Sequence, residues 1–187
     1  MGSPSSDQEH WDARYERAVT GAPVPHVQAV LSSLPSEGRA LDLAGGSGGT
    51  ALLLAAQGLQ VTLADLSPVA LELGRDEAER RSLELQTVCL DLEVESVPSG
   101  PWDVIVCANF LQRELFEPMI AELAPGGLLV VAIATVTNFD RNERPGRRHL
   151  LERGELAGLA GELEILQLDE DWFGDRHEAR LVGRRIE

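Results

Sequence analysis

Apolar positions along this chain switch repeatedly between a period of two and a period near 3.6, the alternation of strands with helices. Residues 39–43 read as a short strand that runs into glycines. Residues 50–57 are apolar nearly all round, which predicts a helix buried against a sheet. A strand over 60–64 closes at Asp65, and Ser67 as N-cap with Pro68 as first helical residue opens a helix reaching about Arg81. The second half repeats the pattern. Residues 85–90 form a strand ending at Asp91, and 102–108 a strongly apolar one. A short helix over 118–123 stops before Pro125-Gly126-Gly127, and 128–134 is a continuous apolar run of the buried parallel kind. Ahead of the first strand, Trp11 and Tyr15 at i,i+4 mark a helix over 7–20. The stripe Val27, Val30, Leu31 and Leu34 marks another over 25–34. The tail holds a helix over 152–160 and two runs, 163–168 and 178–182, that pair as a closing hairpin. Repeated β-α-β units with buried strands predict a parallel sheet covered on both faces. The fold class is therefore α/β: one doubly wound domain over 1–187, with the helices at 7–34 ahead of its first strand.

Composition narrows the function. No apolar run approaches the roughly 20 residues of a membrane span, and Met1 to Ser6 lacks the basic and apolar stretches of a signal peptide. Cys89 and Cys107 both fall in strand-like runs and read as buried free thiols, which suits a reducing, cytoplasmic setting. Neither has a second Cys or His at ligand spacing, so no metal is expected. The formal net charge of −15 disfavours nucleic acid as a partner, because phosphates repel so acidic a chain. All 16 basic residues are arginine, which excludes a catalytic lysine.

Ligands of open α/β sheets bind beyond the carboxyl ends of the strands, so the residues standing there carry the chemistry. After the first strand comes Ala44-Gly45-Gly46-Ser47-Gly48-Gly49, where glycines permit a sharp turn and leave room for a ligand against the main chain. After the second comes Asp65, 23 residues beyond Asp42, placed to accept both hydroxyls of a ribose. After the third comes Asp91 between Leu90 and Leu92, a setting that suits the amine and flat faces of adenine. Three buried acids need partners. The alternative is that each caps the next helix, although Ser67 is the better cap beside Asp65 and leaves the aspartate free.

The glycine turn also satisfies a dinucleotide fingerprint, Gly46-x-Gly48-x-x-Ala51. Electrostatics argues against it. Asp42 puts a carboxylate where a pyrophosphate would sit, whereas a ligand bearing a sulfonium and an ammonium tolerates it. The 38 residues ahead of Arg39 also contrast with dinucleotide folds, which commonly start on the first strand.

Leu41-Asp42-Leu43-Ala44-Gly45-Gly46-Ser47-Gly48 resembles the first motif of class I S-adenosylmethionine-dependent methyltransferases, with Ala44 where the first of three glycines usually stands. The segment 61–71 is similar to their second motif, with Asp65 as the ribose acid and Leu66 beside it. Leu90-Asp91-Leu92 is similar to the adenine-side segment, 101–106 to the fourth strand, and 123–129 to the turn into the fifth. Trp11-Asp12-Ala13-Arg14-Tyr15 resembles the N-terminal helix of small tellurite-resistance and thiopurine-type methyltransferases. The resemblance implies a seven-stranded, mostly parallel Rossmann-like sheet of order 3-2-1-4-5-7-6 with the last strand antiparallel. It also implies S-adenosylmethionine as cofactor and S-adenosylhomocysteine as product. The cofactor would lie against Asp42, Ala44, Gly45, Gly46, Ser47, Gly48, Asp65, Leu66, Asp91 and Leu92, with Cys107 and Asn109 after the fourth strand. Two readings of the first helix stand. Trp11 and Tyr15 cover the methionine end with Arg14 on its carboxylate, or all three are packing contacts.

The acceptor is less constrained. The Asn/Asp-Pro-Pro-aromatic motif of amide and base methylation is replaced here by Cys107-Ala108-Asn109-Phe110-Leu111, which favours a small molecule. No large insert precedes the closing hairpin, so the pocket roof is expected from 7–34 and the loop after Ala134. That loop carries Arg141, Arg144, Arg147, Arg148 and His149 in an acidic protein. Arg147 and Arg148 are candidates for an anionic substrate, against a solvated loop whose arginines pair with Glu143 or Glu152. Phe110 and Phe139 are candidate pocket walls or core residues. A thiolate acceptor needs no base; for a hydroxyl, an amine or a carbon acid the candidates are His149, His10 and Asp12. The expected function is methyl transfer to a small thiol or anion. The alternatives are a nicotinamide-dependent oxidoreductase and a non-catalytic S-adenosylmethionine-binding protein. Oligomeric state is left open.

Overall fold

The computed structural model describes residues 5–186; the first four residues of the N-terminal segment read above lie outside them. The chain forms two compact units, Met1–Glu95 and Ser96–Glu187. Seven strands form the sheet in the order β3-β2-β1-β4-β5-β7-β6, the order that the resemblance implies.

In the first unit the helices α1 (Ser6–Tyr15) and α2 (Pro25–Val30) precede β1 (Arg39–Leu43), α3 (Gly49–Gln57), β2 (Gln60–Asp65), α4 (Pro68–Arg80) and β3 (Leu85–Cys89). β1 pairs with β2 and β2 with β3, all parallel. The expected first helix is cut back to α1, and the last turn of the expected second tightens into a 3-10 turn, Leu31–Ser33. No residue of α1 is buried. Its formation rests on local terms: the Ser5 hydroxyl accepts the Gln8 N–H, Asp7 and Glu9 occupy the first turn, and Arg14 the last. The core of this unit is Leu41, Leu43, Leu52, Leu54 and Leu63, each fully buried and worth about 2 kcal/mol.

In the second unit β4 (Trp102–Ala108) and β5 (Leu123–Ala134) pair parallel, with α5 (Phe116–Ala121) between them. A short helix, α6 (Glu155–Leu159), precedes β6 (Glu164–Phe173) and β7 (Arg176–Arg184). β7 runs antiparallel to both β5 and β6. β5 starts earlier than its apolar run because Leu123 pairs with Trp102 before the register slips at Pro125-Gly126-Gly127. α6 is shorter than expected, as Gly154 takes a left-handed φ of 71° directly before it. The hairpin is longer than its apolar runs because cross-strand pairing continues to Phe173 and Arg176. Ile105, Met119, Leu129, Ile133, Leu150 and Leu151 fill this unit's core.

One expectation is overturned here. Cys107 is buried, but Cys89 is exposed, because it closes β3, the edge strand, whose outer row has no neighbour to cover it. Among the described residues no helix is long and apolar enough to cross a membrane.

Candidate functional site

The first unit gathers its polar groups around one turn. β1 delivers Asp42 into the interior, 3% exposed, and the chain then reverses through Ala44 to Gly48 into α3. The Ala51 N–H, in the first turn of α3, reaches the Asp42 carboxyl, while Oδ2 has no hydrogen-bond partner among the described residues. Burial pushes this carboxyl from 3.8 up to about 7; the Ala51 N–H works against the rise and the Asp65 charge adds to it. Gly45 is required beside it, since a Cβ there would stand 2.6 Å from Oδ2. Ala44, where the related motif has glycine, takes a left-handed φ of 51°.

Asp65 ends β2 and ties the turn together. Its Oδ2 accepts the Gly46 N–H at 2.7 Å and its Oδ1 the Ser67 N–H at 2.9 Å. The expectation that Ser67 leaves Asp65 free is therefore corrected. Ser67 does cap α4, accepting the Ala70 N–H, but its own N–H binds the aspartate. Burial raises the Asp65 carboxyl, while the N–H groups of Ser67, Gly46 and Leu66 lower it.

α1 lies on this turn through two polar links. Asp12 Oδ1 accepts the Ser67 hydroxyl at 2.5 Å. The Tyr15 hydroxyl fills the space a Cβ would need at Gly46, whose φ is +57°. The room expected over this glycine is thus taken by Tyr15, whose hydroxyl is pushed up in pKa by burial and by Asp65. Trp11 stacks on Tyr15 with centroids 6.4 Å apart, Arg14 lies 5.6 Å from the Trp11 centroid, and exposed His10 meets Trp11 edge-on. Ser47 points its hydroxyl at the preceding segment, accepting the Gly21 N–H at 2.8 Å. Asp91 is half-buried between buried Leu90 and Leu92, and its Oδ1 accepts the Glu93 N–H, which caps the turn after β3. The Leu66 carbonyl accepts the Cys89 thiol at 3.4 Å.

In the second unit Asn109 follows β4 with a left-handed φ of 59°. Its Oδ1 accepts from Arg176 Nη1 at 2.7 Å, across 67 residues of sequence. The buried Cys107 thiol lies 3.8 Å from the carbonyl of half-buried Phe110. Phe139 is exposed on the 3-10 turn Val136–Asp140. Arg147, Arg148 and His149 form another exposed 3-10 turn, in which Arg147 pairs with Glu152 at 2.6 Å and Arg148 Nε meets His149 Nε2 at 2.8 Å. Arg141 leaves this group to stack 3.7 Å over the Trp172 ring. The first unit thus brings together Asp12, Tyr15, Asp42, Gly46 and Asp65, and the second joins Asn109 to Arg176. His10 and His149 stand exposed on their own elements. Sequence reading missed Arg176, Trp172 and His177, which become visible only once β7 pairs with β5 and β6.

Residues 40–127 match the family described as a methyltransferase domain. The demethylmenaquinone methyltransferase of Thermus thermophilus is 39% identical over 112 residues, which cover 56% of this chain and 50% of that protein. TehB from Haemophilus influenzae superposes with a TM-score of 0.72 at 21% identity, over 95% of this chain and 66% of that one. N-methyltransferase NodS from Bradyrhizobium japonicum WM9, solved with S-adenosylhomocysteine, gives 0.72 at 19% identity over 98% and 100%. The fold is that of these solved methyltransferases, and the methyltransferase-domain match covers residues 40–127, a little under half of the chain. The chain spans about half the length of the curated relatives it matches.

Proposed function

We propose that the protein transfers a methyl group from S-adenosylmethionine to a small-molecule acceptor. The observation that carries this reading is the buried Asp42 carboxyl, with one oxygen unpartnered, beside Asp65 at the glycine turn. A buried, unpaired carboxylate is costly unless a cation or donor meets it. This acid, with the hydrogen-bonded Asp65 at the same turn, suits a ligand that carries positive charge and hydroxyl donors, and repels a pyrophosphate. When bound, S-adenosylmethionine supplies a methyl group already activated on sulfur. Asp65 would accept ribose hydroxyls on the lone pairs that Gly46 and Ser67 leave, and Asp91 with Leu92 would border the adenine. Asp42 would hold the turn and favour the cationic end. Trp11, Arg14 and Tyr15 would close over the methionine end, with α1 anchored through Asp12 and Ser67. Holding nucleophile and methyl carbon aligned and dry is then the protein's main task.

The N-methyltransferase neighbour binds S-adenosylhomocysteine, and the Thermus relative is a demethylmenaquinone methyltransferase; both are consistent with a small acceptor. Cys107 and Asn109 are proposed to border the cofactor, and Phe110 and Phe139 the acceptor. Incubation with S-adenosylmethionine and a panel of thiols, phenols and carboxylates tests the reading. S-adenosylhomocysteine is expected to accumulate with at least one acceptor. Tight binding without turnover on the whole panel would contradict the enzymatic function and favour a binding protein.

A further inference from the structure

The first helix lies wholly within the first unit and is held to it by very little. None of the residues of α1 is buried. Among the described residues, one side-chain hydrogen bond ties it to the rest of the unit, from the Ser67 hydroxyl to Asp12 Oδ1. Three residues on, the Tyr15 hydroxyl stands over Gly46 where a Cβ would be, and it has no hydrogen-bond partner among the described residues. Residues at i and i+3 share one helix face, so Asp12 and Tyr15 straddle Asp65, whose oxygens accept the N–H groups of Ser67 and Gly46. Burial raises the Asp65 carboxyl and the Asp12 charge adds to that rise, so two carboxylates repel across Ser67 and oppose the seating.

The chain just beyond α1 is pinned where the helix is not. The Thr20 hydroxyl donates to the Leu73 carbonyl at 3.3 Å. The Gly21 N–H donates to Ser47 Oγ at 2.8 Å and the Val24 N–H to Thr50 Oγ1 at 3.0 Å. Between these anchors and Tyr15, residues 16–19 make only local bonds among the described residues. The Glu16 N–H donates to the Asp12 carbonyl and the Ala18 N–H to the Tyr15 carbonyl, while Val19 is 83% exposed. A helix with no buried face, tied by one side-chain bond and followed by a short exposed link, belongs to the least stable part of a fold and opens locally. Once out, its ten residues are too few to stay helical alone.

We infer that α1 is a gate over the glycine turn: seated, it holds the Tyr15 hydroxyl where an adenosyl ligand would lie on Gly46, and ligand passes only when the Asp12–Ser67 bond releases the helix to swing on residues 16–19. This rests on the cofactor reading above. Ligands of open α/β sheets lie beyond the strand ends, and the glycine that admits one there is covered by Tyr15, so the hydroxyl has to leave first. Having no partner, it breaks no hydrogen bond when it goes. With ligand in place, the same Asp12–Ser67 bond closes α1 over it. Because the bond is made in the empty and the filled state alike, it cannot favour one over the other. It therefore sets the rates of entry and release together. A side chain that merely grips the ligand slows release alone.

Asp12→Ala removes the latch and, since α1 buries nothing, leaves the sheet folded. The first readout needs no ligand. Trypsin reaches the bond after Arg14 only when the helix is out, and cleavage of a briefly opened segment follows the population of the open form. Release of the N-terminal peptide, followed by mass spectrometry, is expected to be about tenfold faster in Asp12→Ala, the weight of one charge-assisted hydrogen bond. Asp12→Asn, which still accepts the Ser67 hydroxyl, is expected to fall between that variant and the wild type. Equal cleavage of all three proteins overturns the inference. The second readout is stopped-flow binding of S-adenosylhomocysteine. Asp12→Ala is expected to raise the entry and release rates together, by about tenfold each, with Kd changing far less than either. Faster release with unchanged entry overturns the gate and makes Asp12 a residue that retains the ligand. Cleavage graded as expected, in a wild-type protein that does not bind S-adenosylhomocysteine, counts against the cofactor reading and not against the latch.

Discussion

The turn after β1 and the rim around β7 solve the same problem, the placement of polar groups at strand ends, from opposite directions. In the first unit, Asp42, Gly46, Asp65 and Ser67 lie within 26 residues of sequence and are joined by backbone N–H groups. In the second, Asn109 meets Arg176 across 67 residues and Thr135 meets His177 across 42, side chain to side chain. A motif made by local backbone turning leaves a fixed spacing of acids and glycines. A cluster made by strand pairing leaves none. The first arrangement leaves a buried acid oxygen unpartnered, while the second joins its polar groups side chain to side chain.

Variants can break or sharpen this contrast. The largest effect is expected at Asp42. Its pKa is raised by burial to about 7, so in the ligand-free protein the stability it contributes is complete below about pH 4 and is lost as pH rises toward 7. The whole shift corresponds to as much as about 4 kcal/mol. Asp42→Asn is expected to flatten the fall in Tm between pH 4 and 8, raising Tm at pH 8, and to weaken S-adenosylhomocysteine binding there. Scanning calorimetry across pH checks the first and titration the second. A variant with an unchanged pH slope would show that Asp42 is not the buried acid described.

Asp65→Ala removes the group that holds the Gly46 and Ser67 N–H together. Loss of S-adenosylhomocysteine affinity by about a hundredfold is expected, corresponding to about 2–3 kcal/mol. In the second unit, Glu178 sits between Arg176 and Arg180, both within 3.5 Å. Arg180, whose side chain is 12% exposed, also lies over the Phe173 ring. Glu178→Gln leaves that cation without its charge partner and is expected to cost about 2 kcal/mol in urea unfolding, below the usual range for a fully buried pair because Arg176 is partly in water. A loss under 0.5 kcal/mol, roughly that of an exposed pair, would mean the β7 cluster does not stabilise the second unit. The smallest effect is expected at Ala44→Gly. Relief of the left-handed alanine is partly offset by the freer unfolded chain, leaving a gain of at most about 1 kcal/mol.

The same contrast decides what could be read in advance. The parallel core and the acids at 42, 65 and 91 were legible because buried strands and a glycine turn have fixed periods, whereas the strand order came only from the resemblance. The engagement of Asp65 with Ser67 was not, because it concerns a backbone N–H rather than a residue type. Cys89 was misplaced because an apolar run cannot say that its strand lies at a sheet edge. The arginines of the 141–149 loop drew attention by composition, yet Arg147 and Arg148 meet their own neighbours Glu152 and His149. His177 stood in a polar stretch with no signal of its own until β7 was laid beside β5.

Calorimetric titration of the wild-type protein with S-adenosylhomocysteine, with NADH in parallel, tests the central claim most directly. Micromolar binding of the nucleoside and none of NADH is the predicted result. Binding of NADH, with silence toward S-adenosylhomocysteine, would contradict the account and return the glycine turn to the dinucleotide reading.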